Sequence, residues 1–170
     1  VGVKTRVTAE ATAQSIAVDG YATYTATAQL ANPALWSVDA PNLYSAIVTV
    51  ESDGKVRDAE RVNFGVRTAV FDAEKGFFLN GKSLKIQGTC NHQDFAGVGV
   101  ALPDRLHVYK IEKLKELGSN AYRCSHNPPA PELLDSCDRL GMMVMDGNRN
   151  VGATYCHHTP HETRYAELRT

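Results

Sequence analysis

Apolar and polar positions alternate at period two through much of the chain up to about residue 72. Tyr44, Ala46, Val48 and Val50 share one parity, and Ser45, Ile47 and Thr49 take the other. This is the pattern of a half-buried strand. Ser52-Asp53-Gly54-Lys55 follows as a turn, since Asp-Gly tolerates positive φ. Val62, Phe64 and Val66 resume the alternation, and Tyr21 to Leu30 is rich in Thr, Tyr and Ala at the same period. Short strands broken by turns, with no helix between them, predict part of a β-sandwich.

The period changes near residue 75. Phe77-Phe78-Leu79 and Leu84-Lys85-Ile86 flank Asn80-Gly81, the strongest short hairpin signal. A strand ending near Thr89 comes next. Leu106 to Leu117 then reads as a helix, with Ile111, Leu114 and Leu117 on one face and Gly118 able to supply a left-handed stop. Ala121 to Ser125 is a short strand. Pro129 and Pro131 suit the first turn of a second helix, whose Leu133, Leu134, Cys137 and Leu140 point inward and which Gly141 ends. Met142 to Met145 is a continuous apolar run, as in a parallel strand covered on both faces. Strand, helix, strand, helix, strand is the opening of a parallel α/β domain. A complete (β/α)8 barrel needs ~250 residues, so only its first units fit here.

Composition narrows the function classes. The apolar share is 43% and the charged share 22% in 170 residues, and the net charge is −1. No strong field recruits nucleic acid or an anionic membrane. No apolar run approaches the ~20 residues that cross a bilayer, and VGVKTRVTAE has no apolar leader segment. Cys90, Cys124, Cys137 and Cys156 form no C-x-x-C pair. They read as buried free thiols in a reducing compartment, which favours the cytoplasm.

Candidate chemistry falls after the three strands of the second half. Asn91-His92-Gln93-Asp94 follows the first, Arg123-Cys124-Ser125-His126-Asn127 closes the second, and Asp146-Gly147-Asn148-Arg149 follows the third. In a (β/α)8 barrel the C-terminal strand ends carry the site. Sugars present hydroxyls, so a sugar site offers amide, imidazole, guanidinium and carboxylate groups as paired donors and acceptors. Singly, a loop His is usually solvated and an Arg usually pairs with a carboxylate. Three such clusters on one rim carry more weight.

Asn120-Ala121-Tyr122-Arg123-Cys124-Ser125-His126-Asn127-Pro128, followed by Leu134, Cys137-Asp138, Gly141 and the apolar strand to Asp146, resembles the first signature of family 2 glycoside hydrolases. Asn91-His92-Gln93-Asp94 resembles that family's loop after the first barrel strand. Phe64-Gly65-Val66-Arg67-Thr68, with Gly76-Phe77-Phe78-Leu79-Asn80-Gly81-Lys82, resembles its junction between immunoglobulin-like domain and barrel. Leu35-Trp36-Ser37 with Pro41-Asn42-Leu43-Tyr44 resembles its sandwich motif. The resemblance implies an α+β multidomain chain. Residues 1–72 would be a partial immunoglobulin-like β-sandwich. Residues 73–149 would be the first three βα units of a (β/α)8 TIM barrel, and 150–170 a divergent tail. It implies a β-galactosidase-like hydrolase of terminal β-linked galactose, with β-glucuronidases and β-mannosidases as relatives. His92, Asp94, Arg123, His126, Asn127 and Asp146 are its expected substrate-binding residues. The two His would contact the sugar or steady the transition state, and Arg123 would hold a carboxylate or the catalytic loop.

The family's acid/base lies in an Asn-Glu pair on a later strand, and this chain has no Asn-Glu. Gly147 stands where the family commonly places a Glu. The expectation is therefore a chain without either catalytic carboxylate, inactive alone. The alternative is a non-catalytic sugar-binding or scaffold piece. No cofactor or metal is expected. Cys156, His157, His158 and His161 resemble zinc ligands only in composition. Partners are expected to be small β-glycosides or oligosaccharides, not nucleic acid or membrane, with self-association available through an exposed sheet edge.

Overall fold

The computed structural model describes residues 6–125 and 127–146. Contacts divide the chain into two units, Val1–Ala34 and Leu35–Thr170. In the first, residues 6–34 form no regular strand or helix. A turn closes where Gly20 N–H donates to Ala17 O at 2.9 Å, with Asp19 at φ 61°. Tyr24 Oη donates to Gln14 O at 3.3 Å. The strand expected over Tyr21 to Leu30 is thus corrected to chain without regular secondary structure. Its period-two pattern has no ladder partner among the described residues, and a strand exists only through its ladder.

The second unit begins with an antiparallel hairpin of β1 (Tyr44–Ser52) and β2 (Lys55–Phe64). Asp53 and Gly54 both take positive φ, 55° and 69°, as the two-residue turn demands. Tyr44 stacks on Phe64 across the ladder, ring centroids 5.7 Å apart. The expected burial of one face is corrected. Tyr44 and Ala46 are half-buried, but Val48 and Val50 are exposed. No second sheet covers them among the described residues, and alternation reports which face seeks burial, not whether it finds it.

A three-stranded sheet follows: β3 (Ala69–Asp72), β4 (Gly76–Leu79) and β5 (Lys82–Ser83), all antiparallel. Asn80 and Gly81 make its turn at φ 53° and 76°. The expected return strand at Leu84 to Ile86 is only the two residues of β5, plus one bond from Leu84 N–H to Phe77 O at 2.9 Å.

Then come β6 (Gly88–Asn91), α1 (Asp104–Glu116), β7 (Ala121–Cys124), α2 (Pro131–Leu140) and β8 (Met143–Met145). β7 lies between β6 and β8, and both pairings are parallel. Asn120 aligns the strand starts. Its side chain accepts from Gln87 N–H at 2.8 Å and donates to Lys85 O at 2.9 Å, while its carbonyl accepts from Met143 N–H at 2.9 Å. Gly88 has no room for a side chain, since a Cβ there would run into the Ala121 carbonyl.

Ile111, Tyr122, Cys124, Leu133, Cys137 and Met142 form the core between helices and sheet. Two helix positions depart from the sequence pattern. Leu117 is 82% exposed and Leu134 38%. Leu117 is the cap after α1, already off the helical face. Leu134 lies next to the buried Leu133, about 100° around the helix. Gly118 and Gly141 take positive φ as expected, and Met142 N–H closes on Cys137 O at 2.9 Å.

A second cluster holds Trp36, Val38, Leu79, Ala121 and Met143. Trp36 is 2% exposed. Its indole N–H donates to Asp138 O of α2 at 2.8 Å, its backbone N–H to Val66 O at 2.8 Å, and its carbonyl accepts from Asn80 Nδ2 at 2.9 Å. Arg67 lies over its ring, 4.8 Å from the centroid.

Trp36→Ala is expected to cost about 3–5 kcal/mol of unfolding free energy, against less than about 0.5 kcal/mol for Val48→Ala on the uncovered face. Urea denaturation of both variants checks this. Equal losses would mean that the β1–β2 face is buried in solution.

Candidate functional site

Parallel pairing puts the C-terminal ends of β6, β7 and β8 on one edge. Asn91 pairs with Cys124, and Arg123 with Met145. His92, Ser125 and Asp146 each come directly after a strand, so they share that edge. Ser125 N–H donates to Asn91 O at 2.9 Å, continuing the ladder into the loops. His126 lies outside the described residues, as do Gly147 to Arg149 and the tail Cys and His residues.

Side chains alternate across β7. Tyr122 and Cys124 pack under the two helices. Arg123 points to the other side, where its Nη1 donates to Cys90 Sγ at 3.3 Å. His92, Asp94, Arg123 and Asp146 are exposed on this edge. Asn127 is half-buried and donates to Gln93 Oε1 at 3.0 Å and to Pro128 O at 2.9 Å. It lines a cavity on the helix side of β7 rather than the Arg123 side.

Lys110, on α1, holds the first loop in place. Its Nζ donates to His92 O at 2.7 Å and to Asp94 O at 3.3 Å. Tyr122 Oη approaches the same His92 carbonyl at 3.5 Å. Desolvation lowers the Lys110 pKa, and the Asp94 carboxylate partly offsets this. Lys110 is not among the residues expected at the site, yet its position carries a signal: His107, Lys110, Ile111 and Leu114 share one helical face, and a Lys on an apolar face has a partner to find.

The thiols divide by environment. Cys124 and Cys137 are free and buried, as expected, and desolvation pushes the Cys137 thiol up to about 12. Desolvation also raises the Tyr122 phenol. Cys90 is free but exposed, which corrects the expectation that it is buried. It faces the same side of the sheet as Arg123, and no element covers that side among the described residues.

These elements are the end of an immunoglobulin-like domain and the opening strands of a TIM barrel. The description "Glycosyl hydrolases family 2, TIM barrel domain" matches residues 70–168, and "Glycosyl hydrolases family 2" matches residues 2–67. The chain belongs to glycosyl hydrolase family 2. It is 47% identical over 114 residues to the β-galactosidase BoGH2A of Bacteroides ovatus, which covers 67% of this chain and 13% of that protein. It is 38% identical over 113 residues to a β-glucuronidase of Bacteroides fragilis, covering 66% of this chain and 16% of that one. Among solved structures, a family 2 member from Bacteroides cellulosilyticus superposes with a TM-score of 0.68 at 48% identity, over 73% of this chain and 17% of that chain. The chain thus spans a small part of these relatives' length. No helix among the described residues is long and apolar enough to cross a membrane.

Iodoacetamide labelling of the native chain is expected to modify Cys90 while Cys124 and Cys137 stay protected until denaturant is added. Mass mapping reads this, and native labelling of Cys137 would contradict the packing. Lys110→Met is expected to raise amide exchange over residues 92–95 by about fivefold or more, because two carbonyls lose their donor. Unchanged exchange would remove Lys110 from that role.

Asp138 gives a pH test. Desolvation raises its carboxyl pKa, Arg67 opposes this, and Asp135 adds to the rise. A carboxyl whose pKa is raised on folding binds its proton more tightly in the native state. It therefore costs stability once ionised, and this cost is relieved as pH falls. Asp138→Asn is expected to melt at or above the parent at pH 7, with the difference shrinking towards pH 4. A lower melting point at pH 7 would show that the Arg67 attraction dominates.

Proposed function

We propose that this chain supplies the first part of the sugar-binding rim of a β-glycosidase that acts on terminal β-linked galactose. The observation that carries the reading is the shared strand edge, with His92, Asp94, Arg123 and Asp146 beyond or at the ends of three parallel strands. His92 and His126 contact sugar hydroxyls. Asp94 and Asp146 accept or donate around them, and Arg123 orients a carboxylate or the loop that carries one. The 47% identity to the β-galactosidase BoGH2A supports galactose as the sugar. Residues 1–72 serve as the immunoglobulin-like support, 73–149 as the start of the barrel and 150–170 as a tail.

A retaining glycosidase uses one carboxylate to attack the anomeric carbon. A second, about 5–5.5 Å away, protonates the leaving oxygen. The sequence offers no Asn-Glu pair for the second role. The rim residues can orient a sugar, but they cannot form the glycosyl-enzyme intermediate.

The purified chain is expected to release no measurable nitrophenol from nitrophenyl β-galactoside, yet to bind methyl β-galactoside weakly. Arg123→Ala is expected to weaken that binding about tenfold, since the rim loses a charged hydrogen-bond donor. Calorimetry reads the binding. Robust turnover, unchanged affinity in Arg123→Ala, or tighter binding of the glucuronide would each contradict the reading.

A further inference from the structure

On the helix side of β7, away from Arg123, a cavity of about 300 Å3 lies between the N-terminal turns of α1 and α2. Its floor is Tyr122 and Cys124, and Leu102 and Leu133 give it apolar walls. Neither helix has a side-chain cap at its N-terminus: Pro103 and Ala130 hold those positions and make no side-chain capping bond. The first-turn N–H groups of a helix have no partner within the helix.

The side chain of His107 lines this cavity and is only 8% exposed. Among the described residues its ring makes no hydrogen bond. A buried imidazole without a partner costs free energy, so the space beside it is suited to a polar occupant. Asp104, Lys110, Glu132 and Asn91 also line the cavity. Two of Lys110's donors are already given to the His92 and Asp94 carbonyls, leaving one for an occupant.

The charges decide what kind of occupant fits. A small anion drawn to the helix N-termini would meet the carboxylates of Asp104 and Glu132. A cation would meet Lys110, and among the described residues no group of three His, Cys, Asp or Glu is placed to hold a metal ion. Hydroxyl groups both donate and accept, so they can satisfy imidazole, ammonium, amide and carboxylate together. Carbon–hydrogen faces can lie against Leu102 and Leu133, the mix found in small-molecule sites. We propose that this cavity is a second binding site, for a neutral polyhydroxylated molecule the size of a small polyol or one sugar unit. It lies on the face of the sheet opposite the Arg123 side chain. It does not depend on the proposed glycosidase rim.

Xylitol and glycerol titrated into the isotope-labelled full chain test this, read from the His107 imidazole and Asn91 side-chain resonances. The expected result is saturable shifts at both groups, retained in Arg123→Ala. They should weaken at least fivefold in His107→Phe and in the cavity-filling Leu102→Trp, with amide spectra confirming that each variant is folded. Retention in Arg123→Ala separates this site from the rim. Shifts confined to His92 and Arg123 would overturn the proposal, as would no saturable shift, or a response at His107 to inorganic phosphate or acetate but not to polyols. Equal polyol affinity in both cavity variants would overturn it too.

Discussion

The second unit depends on Trp36. One indole, 2% exposed, is bonded through its ring nitrogen to α2, through its backbone N–H to the segment after β2, and through its carbonyl to the β4–β5 turn. Fully burying a large aromatic releases more apolar area than almost any other residue can. A buried indole N–H must also find an acceptor, and Asp138 O provides it. Gly65 lies so close to the Trp36 ring that a Cβ there would crowd it. The hairpin, the small antiparallel sheet and the first barrel strands are therefore joined through one residue that belongs to none of them.

The site is placed from that joint outward. Asn120 ties the starts of the three parallel strands together, and the absence of a side chain at Gly88 lets β6 approach β7. Once the starts are aligned and the strands are three or four residues long, their ends are aligned too. Chemistry then collects on one edge, with His92, Arg123 and Asp146 at or just beyond the strand ends. Lys110 adds the finer adjustment, drawing the loop after β6 towards α1 through two backbone carbonyls.

Much of this was legible from residue types. Asp53-Gly54 and Asn80-Gly81 marked both hairpins because two-residue turns require positive φ. Gly118 and Gly141 marked both helix ends for the same reason. The parallel order followed from the change of period near residue 75. What was not legible is burial that depends on a partner. Val48 and Val50 show a core pattern and stay exposed, because alternation does not reveal whether a facing sheet is present. Cys90 looked like an interior strand residue, yet it lies on an uncovered face. In the site, the strand-end clusters were visible as motifs. Lys110 and His107 were not, because each sits within a helix, where the 3.6-residue period marks the apolar positions and does not tell which polar neighbour finds a partner.

The account rests on three strands in one parallel register, Cys90 beside Arg123 beside Met145. Cross-strand nuclear Overhauser effects in the isolated, isotope-labelled chain measure this directly. The account predicts contacts linking β6 to β7 and β7 to β8 in that register, with none pairing β6 directly to β8. Antiparallel contacts, a register shifted by one residue, or the absence of cross-strand contacts from a folded chain would contradict it. A shift by one residue would send Arg123 into the helix layer and dissolve the shared edge.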